Sequence, residues 1–320
     1  MGRFLVTGGC GFIGTNLIEY LLEKTDDDIT VLDNLSEGKL EYLKTIDNYS
    51  EKRIDFIEGD IRDETKVQEA VKDSNFVIHL AAQTDVIDSI KDPKKDADIN
   101  ILGTLNLLKE AEKENVARFV LASSAAPLGD QEMPIHEKKV PQPLSPYGAS
   151  KLACEGYCSA FAGSHSLKTV ALRFSNVYGP KSWHKGSVVA KFIKQILVDK
   201  KPTIFGDGEQ TRDFIHTRDV SQALHLSCTQ PLDQDFELFQ IGTGEETSIN
   251  ELYSRLKDKL EAKGIDVPEP TYGDKREGEI YRNYTEITKA KRELNFEPKV
   301  SLDKGLNETI DWFLNDYEQR

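Results

Sequence analysis

A glycine-rich loop close to the start of the chain limits the possible folds more than any other feature. Gly8, Gly11 and Gly14 are spaced three residues apart, between a short apolar run and the amphipathic segment Ile13–Glu23. Glycines allow a tight turn that a pyrophosphate can approach, and the following helix points its N-terminus at that anion. The loop therefore predicts a strand–turn–helix unit that binds a dinucleotide.

Short apolar runs alternate with amphipathic segments through the first half of the chain. Apolar strands separated by helical crossovers are typical of a parallel sheet that is covered on both faces. We therefore expect an α/β fold with a Rossmann-type, doubly wound parallel sheet. The predicted strands are Arg3–Val6, Ile29–Leu32, Asp55–Ile57, Phe76–Leu80, Arg118–Ala122 and Thr169–Arg173, and further predicted helices are Lys66–Val71, Asn100–Glu112 and Tyr147–Phe161.

The pattern changes after about residue 175, where Gly and Pro separate shorter elements. This change predicts a smaller C-terminal α/β domain that binds the substrate. We expect the dinucleotide-binding domain to span 1–175 plus about 213–243, a strand–helix–strand segment that returns to the large sheet. The smaller domain would comprise 176–212 plus about 244–320 and end in a helix near Leu302–Asn315.

The composition restricts the partners and the compartment. The 320 residues carry a net charge of −14, which disfavours nucleic acid and anionic membrane surfaces as partners. No apolar run is long enough to cross a bilayer, and the N-terminus lacks a signal-peptide pattern, so we expect a cytoplasmic protein. The four cysteines are scattered without a matching His or Cys pair, so we expect no metal site.

Asp33 indicates which dinucleotide the loop binds. It lies nineteen residues after Gly14, at the end of the second predicted strand. A carboxylate at this position can accept hydrogen bonds from the adenosine ribose and would repel a 2′-phosphate. The sequence therefore favours NAD over NADP.

Tyr147 and Lys151 are candidate catalytic residues. They lie four residues apart, on one face of a helix that Ser145 can cap. The Lys151 ammonium and the positive ring of NAD would stabilise the phenolate of Tyr147, which could then act as a base. Ser124 ends an apolar strand, where it could bond the substrate hydroxyl and Tyr147. A helix-surface pair and a loop-capping serine are the structural alternatives.

A series of motifs along nearly the whole chain resembles the extended short-chain dehydrogenase/reductase family of NAD-dependent nucleotide-sugar epimerases and dehydratases. Their order and their spacing both agree with that family. The matching segments are Thr7–Gly14, Asp33–Ser36, Gly59–Asp63, His79–Ala82, Asn100 with Gly103–Thr104, Ser123–Ala126, Tyr147–Lys151, Arg173–Pro180 and Gly206–Val220.

The resemblance implies a role for each residue of the site. Tyr147 would be the catalytic base, supported by Ser124 and Lys151. Arg212 and Arg276 would hold the diphosphate of a UDP-sugar substrate, a task that suits guanidinium groups. Residues implied to bind NAD are Gly8, Gly11, Phe12, Ile13, Gly14, Asp33, Asn34, Asp60, Ile61, Leu80, Ala81, Ala82, Asn100, Ser123 and Lys151, and those implied to bind the substrate are Ser124, Tyr147, Asn176, Val189, Phe205, Arg212 and Arg276.

The residues after the fifth strand indicate the reaction. Dehydratases of the family carry an Asp-Glu pair there, whereas this chain has Ala125 and Ala126. The resemblance therefore implies 4-epimerisation of a UDP-sugar, such as UDP-glucose and UDP-galactose or their N-acetylated equivalents, through a transient 4-keto intermediate. A dehydratase with other acid–base residues, an epimerase of a UDP-uronic acid and a non-enzymatic NAD-binding sensor or scaffold are the alternatives.

Several local features bear on the substrate and on assembly. Trp183 and His184 could line the sugar pocket or belong to a rim loop. Asn283 is smaller than the tyrosine of similar epimerases and could admit an N-acetyl group. Family members commonly dimerise through a bundle that includes the helix of Tyr147, so a homodimer is implied. The apolar stripes of Asn100–Glu112 and Leu152–Phe161 could equally be core.

Overall fold

The computed structural model describes residues 2–46, 49, 53–275 and 280–318. Its largest sheet has seven strands, and every neighbouring pair is parallel. The strands are β1 (Arg3–Thr7), β2 (Asp28–Asp33), β3 (Ile54–Glu58), β4 (Phe76–His79), β5 (Arg118–Ser124), β6 (Thr169–Phe174) and β11 (Phe236–Ile241). Their order is β3-β2-β1-β4-β5-β6-β11, so the chain starts inside the sheet and winds outward in both directions. The predicted doubly wound fold is confirmed.

Alternate residues of each strand pack on opposite faces of this sheet. In β1, Phe4 and Val6 belong to one apolar core and Leu5 to the other. The first core includes residues of α1 (Phe12–Lys24), α2 (Leu40–Lys44), α9 (Thr217–Thr229) and α11 (Thr288–Leu294), and the second includes residues of α3 (Glu64–Val71), α6 (Gly103–Lys113) and α7 (Pro146–His165).

The region between β4 and α6 packs beside the helix that carries Tyr147. It contains α4 (Val86–Lys91), α5 (Pro93–Ala97) and a π-helical turn, Asp98–Leu102. Asn100, predicted at the start of a helix, lies in this turn. Both α4 and α5 contact α7, which places them beside the helix of Tyr147.

A third apolar core belongs to a smaller lobe. It includes Phe192, Leu256 and Phe313, which are 2%, 0% and 0% exposed. The short strands pair as β7 with β10, β8 with β13 and β9 with β12. The elements of this lobe and its junction are β7 (Asn176–Tyr178), α8 (Val188–Leu197), β8 (Thr203–Phe205), β9 (Thr211–Arg212), β10 (Phe214–His216), β12 (Thr247–Ser248), α10 (Ile249–Glu261), β13 (Thr271–Gly273) and α12 (Leu302–Glu318).

The segment 213–243 joins the large sheet by its second strand only. β11 pairs with β6 at the edge of the large sheet, whereas β10 pairs with β7. The division into two domains stays a prediction, and α11 contributes Ala290 and Leu294 to the core beside α1.

No helix within the described ranges is both long and apolar enough to span a membrane.

Candidate active site

The glycine loop joins β1 to α1, and its glycines are required by close packing. Gly8 has a φ of +69°, and a Cβ there would lie 2.7 Å from the Ala81 nitrogen. A Cβ on Gly14 would collide with the carbonyl oxygen of Gly8. Side chains are therefore excluded where α1 begins, which leaves a bare backbone cradle at a helix N-terminus, as an anionic ligand requires.

Asp33, at the carboxyl end of β2, is tied to this loop. Its Oδ2 accepts the N–H of Cys10 at 2.9 Å, and its Oδ1 accepts the N–H of Leu35 at 2.8 Å. Burial raises the pKa of this carboxyl, and the two backbone donors oppose that rise. Asp33 therefore shapes the loop while it also lines the adjoining cavity.

Asp60 forms the edge of the same cavity. Its carboxylate accepts two bonds from the Arg62 guanidinium, at 2.9 and 2.7 Å, and one from Asn34 at 3.0 Å. The Arg62 hydrogen bonds hold the pKa of Asp60 well below its usual range. The arginine and the acid compensate each other, so this edge carries little net charge.

The cofactor cavity has a volume of about 410 Å³ and runs along the carboxyl ends of the strands. All but one of the residues predicted to surround NAD line it. These are Gly8, Gly11, Phe12, Ile13, Gly14, Asp33, Asn34, Asp60, Ile61, Leu80, Ala81, Ala82, Ser123 and Lys151.

Asn100 does not line this cavity. Its side chain lies behind the cavity wall, where it bonds the backbone of Gln83 in both directions, at 2.9 and 3.1 Å. It also donates to Asp96 at 3.1 Å and to Ser150 at 3.0 Å. Asn100 therefore fixes the wall and the start of α7, and a direct contact with NAD stays a prediction.

Tyr147 lies in the first turn of α7, which is built as expected. Ser145 accepts the N–H of Gly148 at 3.1 Å, and Pro146 is the first helical residue. Ser124, which ends β5, lies close enough to Tyr147 to lower the pKa of its phenol. The strand end and the helix start thus bring the two side chains near each other.

The electrostatics of Tyr147 differ from the expectation of an acidified phenol. Burial raises the pKa of Tyr147 to about 12, against the opposing effect of the Ser124 hydrogen bond. The charge of Asp96 raises it further. The protein's own groups therefore keep this phenol protonated at neutral pH.

Lys151 is buried one turn further along α7. Its Nζ donates to the carbonyl oxygen of Ala122 in β5 at 2.9 Å. Burial lowers the pKa of Lys151, and the neighbouring acidic groups Cys154 and Asp96 oppose this. Lys151 lines the cofactor cavity, and its contact with a bound ribose stays a prediction.

A second cavity, of about 1040 Å³, adjoins the first. Tyr147 and Ser123 line both cavities, so Tyr147 lies at their junction. The residues predicted to bind the substrate and found in this second lining are Ser124, Tyr147, Asn176, Val189, Phe205 and Arg212. Arg276 lies outside the described residues, and Asn283 lines neither cavity.

The two residues of the loop after Pro180 have separate positions. The Trp183 ring packs on Phe313 of α12, with ring centroids 5.3 Å apart, and lines neither cavity. His184 lines both, and burial lowers its pKa to about 4, so its ring is neutral at pH 7. The pocket interpretation thus fits His184, and the rim interpretation fits Trp183.

The structure adds two residues that sequence reasoning missed. Asp96 lines the second cavity, and its Oδ2 is buried without a hydrogen-bond partner among the described residues. Lys185 lines both cavities. Asp96 lies four residues before Asn100, and this helical spacing could have indicated that it shares a helix face with Asn100. No sequence pattern indicated Lys185, because it reaches the site from the smaller lobe.

Together, these features define a dinucleotide-binding oxidoreductase-type site on a Rossmann sheet. The glycine loop and Asp33 fit an adenine dinucleotide, and Tyr147 and Lys151 line the same cavity. The larger cavity beside them can hold a second, nucleotide-sized ligand.

Comparisons with known proteins identify the family. The sequence profile described as GDP-mannose 4,6 dehydratase matches residues 5–309. The chain belongs to this family, which lies within the extended short-chain dehydrogenase/reductases that the sequence resembles. Its homologues include nucleotide-sugar 4-epimerases and dehydratases.

Individual relatives match over almost their whole length. A UDP-glucose 4-epimerase of Mycolicibacterium smegmatis is 33% identical, over 98% of this chain and 99% of its own. The crystal structure of UDP-glucose 4-epimerase from Thermotoga maritima with UDP-glucose is 36% identical, with a TM-score of 0.89 over 98% of this chain and 99% of that one. The Thermus thermophilus UDP-glucose 4-epimerase complex with NAD is 33% identical, with a TM-score of 0.85 over the same shares, 98% and 99%.

Proposed function

We propose that this chain is an NAD-dependent 4-epimerase of a UDP-hexose, acting through a transient 4-keto sugar. The observation that carries the proposal is the position of Tyr147. It lies beside Ser124, at the junction of the cavity lined by the glycine loop and a larger cavity. A base at such a junction can serve a hydroxyl of one ligand beside the reactive ring of the other.

The catalytic roles follow from this arrangement. When bound, NAD supplies the hydride acceptor for C4 of the sugar and a positive ring that favours the Tyr147 phenolate. Tyr147 takes the proton of the 4-hydroxyl, and Ser124 holds the same oxygen by a hydrogen bond. Lys151 keeps a positive charge beside the base and is anchored to Ala122. Once the 4-keto sugar has rotated to present its opposite face, the hydride would return to C4 while Tyr147 returns the proton to O4.

The nucleotide half of the substrate has suitable partners in the larger cavity. Arg212 can bind a diphosphate, while Val189 and Phe205 offer apolar surface to a base. UDP is supported by the relatives named above. The volume of about 1040 Å³ is at the upper end of the usual 300–1,000 Å³ for ligand sites, which allows the 4-keto sugar to rotate. Arg276 remains a predicted second phosphate ligand.

Epimerisation is preferred over elimination because Ala125 and Ala126 offer no proton donor or acceptor beside the sugar. A dehydratase is the second candidate, and Asp96 is the observation that favours it. Asp96 is a buried carboxyl in the lining, and burial raises its pKa, as a proton donor requires. Elimination needs both an acid and a base besides Tyr147, and Asp96 is a single group.

A product assay tests the proposal. The purified chain is incubated with UDP-glucose, UDP-N-acetylglucosamine, UDP-glucuronate and dTDP-glucose, and the products are followed by NMR. Interconversion of a UDP-sugar with its C4 epimer, with no net change in added NAD, is the expected result. A 4-keto-6-deoxy product would support the dehydratase instead, and no conversion of any sugar would contradict both.

We further propose that the chain forms a homodimer through α6 and α7. Most of the apolar stripe on these helices, such as Leu107 and Cys158, is core within one chain. Leu102, beside α6, and Tyr157, on α7, are 51% and 40% exposed and remain for a partner. Light scattering after size-exclusion chromatography gives the mass directly, and a monomer of 36.0 kDa would contradict the dimer.

A further inference from the structure

Lys185 reaches from the smaller lobe across the opening between the two cavities. Its Nζ donates to the Thr84 hydroxyl of the large lobe at 3.2 Å. Its side chain lines both cavities together with Phe12 and Ile13, the first two residues of α1. Lys185 and the first two residues of α1 therefore border the same two cavities.

Hydrogen bonds to backbone atoms hold the loop that carries Lys185 in place. Lys194 of α8 donates to the carbonyl oxygens of Trp183 and Lys185, each at 2.7 Å. The Lys185 N–H donates to the Ser182 carbonyl at 2.9 Å. These contacts involve backbone atoms, so the position of Lys185 does not depend on its side chain. A cation that is placed in advance loses little freedom when it binds an anion.

The ammonium of Lys185 lies near two carboxylates and has one hydrogen-bond partner among the described residues. Burial lowers its pKa, and the carboxylates of Glu37 and Asp85 raise it. An ammonium has three donors, and Thr84 is its hydrogen-bond partner among the described residues. Glu37 also lines both cavities, as does Lys95 of α5, so removal of Lys185 would make this part of the wall more acidic. An acidic wall would repel a pyrophosphate.

We propose that Lys185 binds the pyrophosphate of NAD from the smaller lobe, facing the N-terminus of α1. This inference rests on the proposed NAD-dependent function. The large lobe offers the pyrophosphate backbone N–H groups, and among its described residues Arg62 is bonded to Asp60 while Lys95 of α5 also lines both cavities. Lys185 adds a side-chain cation from the smaller lobe. Both lobes then hold NAD, so that NAD stays bound while the 4-keto sugar rotates.

Equilibrium binding to the full chain, freed of nucleotide, tests this inference by isothermal titration calorimetry with NAD and with ADP-ribose. Lys185→Met should raise both dissociation constants roughly 10-fold to 100-fold, because a hydrogen bond to a charged group is lost. The factor should be similar for the two ligands, since both contain the pyrophosphate. Lys185→Arg keeps the charge and should stay within a few-fold of the unmodified chain.

Lys200→Met is the matched control, because Lys200 is exposed after α8 and lines neither cavity. It should leave both dissociation constants unchanged. Unchanged NAD and ADP-ribose binding by Lys185→Met would overturn the inference, and so would a rise confined to the KM of the UDP-sugar. If the unmodified chain itself binds no NAD, the proposed function fails instead, which separates the two outcomes.

Discussion

Replacement of Arg173 tests how α7, the helix that carries Tyr147, is held against the large sheet. Arg173, in β6, donates from Nε and Nη2 to the carboxylate of Glu155 in α7, at 2.8 and 2.6 Å. The Ser123 hydroxyl donates to the same carboxylate at 2.5 Å. The Arg173 and Glu155 side chains are 2% and 5% exposed, so the ion pair is shielded from water.

The single variants of Arg173 and Glu155 should lose much more stability than the double variant. Arg173→Met leaves the Glu155 carboxylate buried with one neutral donor and should lower the free energy of unfolding by about 3–5 kcal/mol. Glu155→Leu should cost a similar amount, because it strands the guanidinium. The double variant buries no charge and leaves only the Ser123 hydroxyl without its acceptor, which costs about 1–2 kcal/mol.

Urea unfolding of the full chain measures these differences, with the midpoint converted by a shared m-value. Arg255→Met is the control, since Arg255 pairs with Glu251 and Asp303 on the surface and should cost no more than about 1 kcal/mol. The reasoning is refuted if Arg173→Met costs no more than Arg255→Met. It is also refuted if the double variant costs the sum of the two single ones.

Three further predictions concern the site. Tyr147→Phe should reduce kcat roughly 10²-fold to 10⁴-fold and leave the NAD dissociation constant unchanged; an unaltered kcat would remove Tyr147 from its catalytic role. Asp96→Asn removes a charge that raises the pKa of Tyr147. Because the base acts deprotonated, the rising limb of kcat against pH should move to lower pH, and a shift to higher pH would contradict this. Asp33→Ser should narrow the preference for NAD over NADP in a binding titration, since the repulsive carboxylate is lost; an unchanged preference would contradict that assignment.

The large sheet could be predicted from sequence because its signals are local. Each strand is a short apolar run, and the glycine loop marks the first crossover, so the six predicted strands all occur. The partner of β10 could not be predicted in this way. Its three residues pair with β7, and pairing between distant short strands depends on how the intervening elements pack.

The sequence predicted those residues of the site that follow a strand end or share a helix face. Ser124 and Tyr147 meet because a strand terminus and a helix start are both visible in the sequence. Asn100 was assigned to the cofactor from its motif, but the π-helical turn directs it into bonds with Gln83 and Ser150. Lys185 was missed because its approach depends on the fold of the smaller lobe.

The pKa of Tyr147 implies that the base forms only in the loaded protein. With a pKa raised to about 12, roughly one phenol in 10⁵ would be ionised at pH 7. The Ser124 hydrogen bond already contributes to that value. Bringing the pKa near 7 would require about 7 kcal/mol of additional stabilisation of the phenolate. The positive ring of oxidised NAD is the group in the proposed reaction that can add charge beside Lys151. In the proposed reaction, base formation is then coupled to cofactor binding, so the proposed contact of Lys185 with the cofactor would affect the base through NAD occupancy.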